Sequence, residues 1–421
     1  MKRDLRVAFL FSSHFRIMTL FNDYDFSGKR ALVRVDFNVP LKDGRITDDT
    51  RIRATIPTIQ GILDGGGSVV LMSHLGRPHK DIEKKPGKTL ADFTLRPVAE
   101  HLAQALGKEV AFIEDAGSDA ALEKAKALQP GQILLLENLR YYKEEEKGDR
   151  AFAEKLARLG DVYVNDAFGT AHRAHASTAV IAEFFPGDKK LFGLVMEGEV
   201  SAAERVLHNA QKPFVAIIGG AKVSDKLLIL ERLLDVADDI IIGGGMAYTF
   251  FKAQGGHIGN SLVEEDRIQT TIDLMKKAEG KGVCIHLPSD SIIADKFSPD
   301  AQVSSGINSE IPEGWMGLDI GQRACEMFTT VIRDAKTILW NGPMGVFEME
   351  KFQHGTKCVA DAVAAATEEG AYSLVGGGDS VAAVNKFGYT DKVSYVSTGG
   401  GALLEFFEGK ELPGIAAVRK G

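Results

Sequence analysis

Short apolar runs rich in β-branched residues recur along the chain, and each is followed by a segment whose apolar residues have helical spacing. A strand that is apolar on both faces must be covered on both faces, and βαβ crossovers are the connections that place helices there. The pattern therefore predicts parallel sheets, whose loops after the carboxyl ends of the strands gather along one edge and bind ligands. The runs span residues 31–35, 68–72, 110–113, 133–136 and 162–164 in the first half, then 214–218, 239–242, 283–287, 337–340, 372–375 and 393–396 in the second.

A segment at 192–210 separates the two sets of runs. It is apolar at helical spacing and is stopped by Lys212 and Pro213, which predicts one long connecting helix. A chain of 421 residues is too long for one ordinary core, and no Pro/Gly/Ser-rich linker joins its halves, so we expect them to move as hinged bodies. The predicted fold class is α/β, with two doubly wound, Rossmann-like parallel-sheet domains joined by a long hinge helix. The predicted boundaries are 18–190 for the N-terminal domain, 191–212 for the connecting helix and hinge, 213–408 for the C-terminal domain and 409–421 for a final segment.

Residues 1–17 differ from the rest of the chain. They are basic with a short apolar patch, Arg16 follows that patch closely, and no small-residue cleavage site is evident, which disfavours a signal peptide. We interpret them as an N-terminal extension, either a disordered tail or the result of an upstream start, and expect the fold's own sequence to begin near Met18.

Composition excludes several classes of protein. A net charge of −8, with no long block of like charge, does not fit nucleic-acid binding. No stretch approaches the roughly 18–20 apolar residues that a membrane helix needs. The three cysteines, Cys284, Cys325 and Cys358, form no CxxC pair, so we predict neither a disulfide framework nor a zinc site and expect a reducing compartment, the cytoplasm.

The loops after the strands of the second half are rich in glycine. Glycine lets backbone N–H groups approach an anion closely, and a helix after each loop would point its positive end there, which favours polyphosphate binding. One glycine triplet alone is more typical of a tight turn, but five such loops in one domain favour a ligand site. We expect Lys222 and Lys226 to face one side of a helix start, whereas Asp379 could instead be only an N-cap. The loops lie at 219–222, 243–245, 341–343, 376–380 and 399–401.

The loops after the strands of the first half carry cations and hydrogen-bonding side chains instead. Guanidinium groups bind carboxylate or phosphate with paired hydrogen bonds, so several arginines near strand ends indicate a small, multiply anionic substrate. A lone surface arginine is usually a solvated charge, and two of the histidines, His172 and His175, could equally be structural. The candidate residues are Asp36, Asn38, Arg51, His74, Arg77, Arg140, Arg173, His172 and His175.

A glycine-lined phosphate site on one hinged half and a cationic site on the other favour a kinase, because closing the hinge would align donor and acceptor and expel water. A P-loop kinase and a nicotinamide dehydrogenase are the competing enzymes, but neither GxxxxGK[ST] nor a complete GxGxxG occurs. A two-lobed anion-binding protein of the periplasmic type would also be hinged, yet it would need an export signal and would have no use for Lys222 and Lys226.

From about Met18 onwards the sequence resembles the phosphoglycerate kinase family. The resemblance covers almost the whole chain, and so many ordered strings make a chance match untenable. The matching strings are VRVDFNVP at 33–40, SHLGRP at 73–78, ENLR at 137–140, NDAFGTAHRAH at 165–175, GGAKVSDK at 219–226, WNGPMGVFE at 340–348, GGGD at 376–379 and STGGG at 397–401.

The resemblance implies reversible in-line phosphoryl transfer between 1,3-bisphosphoglycerate and ADP, giving 3-phosphoglycerate and ATP, with Mg²⁺ on the nucleotide. By position it implies a 3-phosphoglycerate site of Asp36, Asn38, Arg51, His74, Arg77, Arg140 and Arg173. The implied nucleotide site consists of Gly220, Ala221, Lys222, Lys226, Gly243, Gly244, Gly317, Leu318, Asn341, Pro343, Glu348, Gly377, Gly378, Asp379 and Ser380, with Asp379 as the magnesium ligand. We expect the transferring group to be stabilised by Arg51, Lys222, Gly377 and Gly400.

Two positions depart from the family pattern. Ser380 stands where threonine is common and keeps the hydroxyl, whereas Tyr395 stands where the family often has histidine, so a hinge contact assigned to that histidine is in question here. We expect a monomer with small-molecule substrates and neither nucleic acid nor membrane as a partner. The resemblance implies that a final stretch from Pro413 returns to the first domain.

Overall fold

The computed structural model describes residues 19–420, so the predicted extension at 1–17 lies outside the described residues. The chain divides into two compact units. Unit 1 contains the residues up to Gly198 together with those from Glu411 onwards, and unit 2 is Glu199–Lys410.

Unit 1 is built on a parallel sheet. Its strands are β1 (Arg30–Val35), β2 (Leu41–Lys42), β3 (Arg45–Ile46), β4 (Ser68–Met72), β5 (Val110–Ile113), β6 (Ile133–Leu136), β7 (Val162–Asp166) and β8 (Lys190–Phe192). Six of them form one sheet in the order β5-β6-β4-β1-β7-β8, and every neighbouring pair in it is parallel. Strands β2 and β3 form a separate antiparallel hairpin.

Helices cover this sheet, as its apolar strands require. They are α1 (Thr50–Asp64), α2 (Pro78–Lys84), α3 (Arg96–Leu106), α4 (Asp119–Lys126), α5 (Lys143–Lys147) and α6 (Arg150–Ala157). The apolar faces of α1 and α3 join the core through Ile59 and Leu102, which pack in one buried cluster with Val33 and Leu71 of the central strands. The near-continuous burial of β1 and β4 explains why their sequences show no alternation of polar and apolar residues.

The connecting segment forms helix α7 (Leu194–His208), which lies inside the predicted 192–210. The Asp166 carboxylate at the end of β7 accepts hydrogen bonds from the backbone N–H groups of Val195 and Met196, at 2.9 and 3.2 Å, and so caps the first turn. The division between the units falls within this helix, between Gly198 and Glu199.

Unit 2 contains a second parallel sheet of six strands. The strands of unit 2 as a whole are β9 (Phe214–Ile218), β10 (Asp239–Ile242), β11 (His257–Ile258), β12 (Cys284–His286), β13 (Asp290–Ala294), β14 (Val303–Ile307), β15 (Glu310–Ile311), β16 (Met316–Ile320), β17 (Thr337–Asn341), β18 (Tyr372–Val375) and β19 (Tyr395–Val396). The parallel sheet has the order β12-β10-β9-β17-β18-β19. Two parallel sheets, each with flanking helices, confirm the predicted fold class.

The helices of unit 2 pack on this sheet around a core that includes Trp340, Phe328 and Val363. They are α8 (Leu227–Leu233), α9 (Ala247–Ala253), α10 (Ile268–Lys281), α11 (Gln322–Arg333), α12 (His354–Glu368), α13 (Gly378–Phe387) and α14 (Gly401–Phe407). A three-stranded antiparallel sheet, β14-β13-β16, and a short parallel pair of β11 with β15 complete the unit.

The last helix, α15 (Pro413–Arg419), belongs to unit 1. The Asn165 side-chain amide donates to the Gly414 carbonyl oxygen at 3.2 Å, and the Gly414 N–H donates to the Ala171 carbonyl oxygen at 2.8 Å. The Lys190 ammonium donates to the Ala417 carbonyl oxygen at 3.1 Å, which ties the helix to β8. Unit 1 is thus assembled from two segments of the chain.

Candidate active site

The polar loops of unit 1 meet at the carboxyl edge of its sheet. The Asn38 side-chain oxygen, after β1, accepts a hydrogen bond from the Gly76 N–H, after β4, at 2.9 Å. The Arg140 guanidinium, after β6, donates to the Gly76 carbonyl oxygen at 2.7 Å. Because the strands are parallel, their carboxyl ends share one edge, and three predicted loops are therefore joined by direct contacts.

Arg51 lies in the first turn of α1 and points to the loop after β1. Its Nη1 donates to the Asp36 carboxylate at 3.0 Å and to the Asn38 carbonyl oxygen at 3.2 Å. The Arg51 side chain remains about one-third exposed, at 35%. The ion pair therefore fixes its position while a face of the guanidinium stays accessible to an anion.

Arg34 is a member of this cluster that the sequence analysis missed. It lies in β1, is fully buried, and its Nη2 is 3.2 Å from the His74 Nδ1, while its Nε donates to the Ser177 hydroxyl at 2.8 Å. The Ser177 hydroxyl donates to the buried Glu145 carboxylate, so the positive charge has a nearby acidic partner. The signal was present in the sequence, because a charged residue inside an apolar strand needs a buried partner.

The positive charges of this cluster depress the pKa values of its histidines. Burial lowers the pKa of His74 well below its usual value, and the charges of Arg34, Arg140 and Arg51 lower it further. Burial and neighbouring arginines lower the pKa of His175 to about 3. Both imidazoles are therefore neutral near pH 7, and the cluster's charge resides on its guanidinium groups.

Two predicted arginines lie on the exposed rim of the cluster. Burial is the main cause of the lowered pKa of Arg140, and the Arg77 charge lowers it further. The Arg173 charge contributes to the lowered pKa of His175. Both side chains are exposed. Each charge therefore acts on a more buried member of the cluster.

In unit 2 the glycine loops follow β9, β10, β17, β18 and β19, and the first three of them pack backbone against backbone. A Cβ on Gly219 would lie 2.1 Å from the Pro343 carbonyl oxygen, and one on Gly342, whose φ is +111°, would lie 2.0 Å from the Gly219 carbonyl oxygen. A Cβ on Gly244 would lie 2.6 Å from the Gly220 carbonyl oxygen. These glycines are therefore required for the close packing of the loops.

Asn341, at the end of β17, connects several of these loops. Its side-chain oxygen accepts a hydrogen bond from the Lys226 ammonium, and its amide nitrogen donates to the Gly376 carbonyl oxygen at 3.0 Å. Burial lowers the pKa of Lys226, while the negative charge of Asp379 opposes that shift. Lys226 and Asp379 thus lie close enough to interact, although they are far apart in sequence.

The structure corrects two expectations about this region. Lys222 and Lys226 do not face one side of a helix start, because α8 begins only at Leu227, with Lys226 as its N-cap, and Lys222 lies in the preceding loop. A helix follows the loops at 243–245, 376–380 and 399–401 directly, whereas ten residues separate Pro343 from α12. The sequence pattern located the loops correctly but not the path of the chain leaving them.

Asp379 is not the N-cap of α13. Gly377, with φ of +88°, occupies that position, and Asp379 is the second residue of the helix with an exposed side chain. The Ser380 hydroxyl accepts a hydrogen bond from the Gly342 N–H, so the serine that replaces the family's threonine has a structural use for its oxygen. Tyr395 begins β19 and is half-buried.

The predicted rim of the nucleotide pocket belongs to the small antiparallel sheet. Gly317 and Leu318 lie in β16, and a Cβ on Gly317 would lie 1.8 Å from the Tyr248 hydroxyl oxygen. The Val346 N–H donates to the Leu318 carbonyl oxygen at 2.9 Å, which brings the stretch leading to Glu348 beside β16. Glu348 itself is exposed.

Glu199 of α7 is a further residue that the sequence analysis missed. Its buried carboxylate accepts hydrogen bonds from the Ser397 hydroxyl at 2.6 Å and from the Thr398 N–H at 2.7 Å. These contacts hold the segment that leads into the glycines at 399–401. No spacing pattern could have revealed a contact across 198 residues of sequence.

Within residues 19–420, no helix is long and apolar enough to cross a membrane. The same part of the chain contains no group of three or more His, Cys, Asp or Glu side chains that could hold a metal ion by themselves.

Two parallel-sheet units, one with a guanidinium cluster and one with packed glycine loops beside a lysine and a carboxylate, define an α/β phosphotransferase. The chain belongs to the phosphoglycerate kinase family, since the family model described as "Phosphoglycerate kinase" matches residues 21–410. Enzymes of this family transfer a phosphoryl group between 1,3-bisphosphoglycerate and ADP in glycolysis, and the chain is such a kinase, with ATP and ADP as substrates.

Individual relatives agree with this assignment. The chain is 53% identical over 421 residues to a phosphoglycerate kinase of Porphyromonas gingivalis, covering 94% of this chain and 99% of that protein. It is 51% identical to one of Chloroherpeton thalassium, covering 94% and 98%. Among solved structures, phosphoglycerate kinase from Coxiella burnetii matches with a TM-score of 0.86 at 43% identity, covering 96% of this chain and 99% of that one. The enzyme from Pyrococcus horikoshii matches with a TM-score of 0.79 at 32% identity, covering 95% and 98%.

Proposed function

We propose that unit 1 binds 3-phosphoglycerate and 1,3-bisphosphoglycerate, that unit 2 binds ADP and ATP, and that the phosphoryl group passes between them in line. The observation that carries this proposal is the cluster of Arg34, Arg51 and Arg140 at the carboxyl edge of the sheet of unit 1, where Arg34 contacts the neutral His74. Like charges are costly to gather, and a small polyanion is the ligand that offsets this cost.

The acceptor needs no general base. The carboxylate of 3-phosphoglycerate is already ionised near neutral pH, so catalysis consists of positioning the reactants and stabilising charge. We assign Arg51 and Lys222 to the equatorial oxygens of the transferring group, with the helix N-termini that follow Gly377 and Gly400 contributing backbone N–H groups. No covalent intermediate with the enzyme forms.

The remaining substrate contacts follow from position in the cluster. Asp36 and Asn38 anchor Arg51 and the loop after β4, and the exposed Arg77 and Arg173 bind the phosphate or carboxylate from the rim. The nucleotide phosphates lie against Gly220, Ala221, Lys222, Lys226, Gly377, Gly378 and Ser380, and the adenosine lies near Gly243, Gly244, Gly317, Leu318, Asn341, Pro343 and Glu348.

We further propose that Mg²⁺ binds at Asp379. Magnesium in kinases is commonly held by one or two carboxylates together with substrate phosphates, so a single exposed carboxylate beside a lysine fits this role better than a preformed protein cage would. When bound, the ion neutralises negative charge on the nucleotide phosphates. Asp379 itself contributes a carboxylate at the first turn of α13, near Lys226.

We also propose that the enzyme acts as a monomer in the cytoplasm. All the proposed binding residues come from one chain, and its three cysteines are unpaired, as is usual in a reducing compartment. The prediction that the two halves move as hinged bodies stays a prediction.

A coupled assay of ATP formation from ADP and 1,3-bisphosphoglycerate, with and without magnesium, tests the reaction and its metal requirement. We expect ATP to form only when both substrates are present and to cease when a chelator removes divalent cations. ATP formation that persists in excess chelator would contradict the magnesium site. Binding of 3-phosphoglycerate without any turnover would instead favour the anion-binding protein.

A further inference from the structure

Helices α11 and α12 pack against each other in unit 2, and each carries one cysteine at the contact. Cys325 on α11 is buried, with 4% of its surface exposed, whereas Cys358 on α12 is half-buried. The Thr329 hydroxyl lies 3.7 Å from the Cys358 sulfur. Cys325 lies one turn before Thr329 on the same face of α11, which brings both cysteines to the same part of the helix contact. Neither cysteine belongs to the residues proposed for phosphoryl transfer.

Cys358 also lines a surface pocket of about 440 Å³. Three cationic or titratable side chains, Arg333, His354 and Lys357, line the same pocket together with Asp361. A small reagent can therefore reach Cys358 from solvent, whereas Cys325 is buried and is not among the residues that line the pocket.

The environment of the pair favours the thiolate of Cys358. The hydrogen bond from the Cys325 thiol lowers the pKa of Cys358, and the Thr329 hydroxyl lowers it further, against the opposing effects of burial and of the negative charges of Asp361 and Glu326. The same contact and burial raise the pKa of Cys325, which keeps that thiol protonated as the donor. Thiolates are the reactive form of cysteine, so the pair is chemically asymmetric.

We propose that Cys325 and Cys358 form an oxidisable thiol pair, in which Cys358 reacts with a small hydroperoxide from the pocket and Cys325 then resolves the product to a disulfide. In the first step the Cys358 thiolate attacks one peroxide oxygen, the O–O bond breaks, and Cys358 sulfenic acid and an alcohol or water form. In the second step the Cys325 sulfur attacks the sulfenic sulfur, and the oxygen leaves as water. The hydroperoxide is the oxidant, and both cysteines supply the electrons.

Cys284 must be removed before this chemistry is measured, because it is the exposed thiol of the chain and would react with any reagent. The Cys284→Ser protein therefore serves as the parent. Its treatment with hydrogen peroxide should lower the intact mass by about 2 Da, and peptide mapping should locate the new bond between Cys325 and Cys358. Thioredoxin or dithiothreitol should restore the mass.

Two further variants separate the roles of the cysteines. Cys358→Ser in the parent should abolish the loss of mass, whereas Cys325→Ser should leave a Cys358 sulfenic acid that dimedone traps. In the folded parent, the rate at which a thiol reagent labels Cys358 should rise with pH through a midpoint below the value of about 8.5 for a free cysteine. In the unfolded parent the midpoint should return to that value.

Three results would overturn the proposal. One is a peroxide-treated parent in which Cys358 is over-oxidised or untouched while the disulfide is absent from the peptide map. Another is a labelling midpoint that does not change on unfolding. The third is a folded Cys325→Ser variant whose Cys358 gives no dimedone adduct. Circular dichroism shows whether this variant is folded. The peptide map of the parent needs no variant at either position, so it decides the matter even if Cys325→Ser does not fold.

Discussion

Arg51 and its neighbour two residues along α1 show how position separates a binding arginine from a solvated one. Arg51 is held by Asp36 and the Asn38 carbonyl oxygen at the sheet edge, whereas Arg53 is largely exposed, at 65%, and forms an ion pair with Asp49 on its own helix turn. Both are guanidinium groups on the same turn of helix. Their different surroundings make them a matched pair for testing the site.

We predict that Arg51→Ala lowers kcat by roughly two to three orders of magnitude, because the transition state loses one preorganised donor. Arg53→Ala should change kcat by less than about two-fold, because an exposed ion pair contributes little. Steady-state kinetics of ATP formation with both variants decides the matter. Near-normal turnover by Arg51→Ala would show that its assigned role is wrong.

A similar loss is expected for Lys222→Ala, at roughly two to three orders of magnitude in kcat. The control is Lys252→Ala, which removes an exposed lysine from α9, outside the glycine loops. If Lys222→Ala raised KM for ADP alone and left kcat unchanged, Lys222 would bind the ground state and would not stabilise the transferring group.

The sequence predicted which residues gather at each site better than it predicted how they are held. Motif residues such as Asn38 and Arg140 do meet through the loop at Gly76. Arg34 was missed because it lies within a strand, whereas binding residues were expected only in the loops after the strands. The relation of Lys222 to Lys226 was wrong because a spacing of four residues implies a shared face only inside a helix, and these residues precede one.

At the scale of elements, most strands of the two parallel sheets were predictable closely, but the edge strand β8 was not among the predicted runs. Runs at 68–72 and 214–218 coincide with β4 and β9, because strands buried on both faces leave an unbroken apolar signature. The run at 110–113 coincides with β5, an edge strand that is only half-buried. The small antiparallel sheet was not predicted. Strand β14, with the sequence VSSGI, is mostly exposed, so neither burial nor alternation marks it.

The cap of α7 is an element whose stability depends on pH. Burial raises the pKa of Asp166 to about 6, from 3.8 in the unfolded chain. The hydrogen bonds that its carboxylate accepts from two backbone N–H groups lower the pKa but do not offset the effect of burial. The folded state therefore binds this proton more tightly than the unfolded state does. The stabilisation that the protonated Asp166 gives the folded state is fully present at low pH and is lost as pH rises from about 4 to above 6.

We predict that Asp166→Asn becomes stabilising as pH rises. Asparagine keeps the accepting oxygen but does not ionise, so the free energy of unfolding of the variant, relative to the unsubstituted protein, should increase by about 1–3 kcal/mol between pH 4.5 and pH 8. Urea unfolding at both pH values measures this difference. A difference that is the same at both pH values would mean that the carboxyl does not titrate in this range.

At the scale of the whole molecule, unit 1 depends on a segment that is remote in sequence. Helix α15 contributes the buried side chains of Leu412, Ile415 and Val418 at its start and along its length. Both tryptophans, Trp315 and Trp340, lie in unit 2. Tryptophan fluorescence therefore follows unit 2, while hydrogen exchange of strand peptides can follow each unit separately.

We predict that Ile415→Ala destabilises unit 1 by about 2–5 kcal/mol, as expected for truncation of a buried isoleucine that is 4% exposed. Hydrogen exchange should accelerate in β7 and β8 more than in β9 and β10. Glu411→Ala, at an exposed position in the same segment, is the control and should have little effect. Unchanged exchange in β8 of the Ile415→Ala protein would contradict the structural role of α15.

The assembly of unit 1 from two stretches of chain also orders events on the ribosome. Translation must pass through all of Glu199–Lys410 before it reaches the residues that cover β8. A nascent chain arrested anywhere in that interval therefore lacks the Gly414 and Ala417 carbonyl oxygens that receive hydrogen bonds from Asn165 and Lys190. Unit 2, being one uninterrupted stretch, has all its residues synthesised before unit 1 receives its last helix.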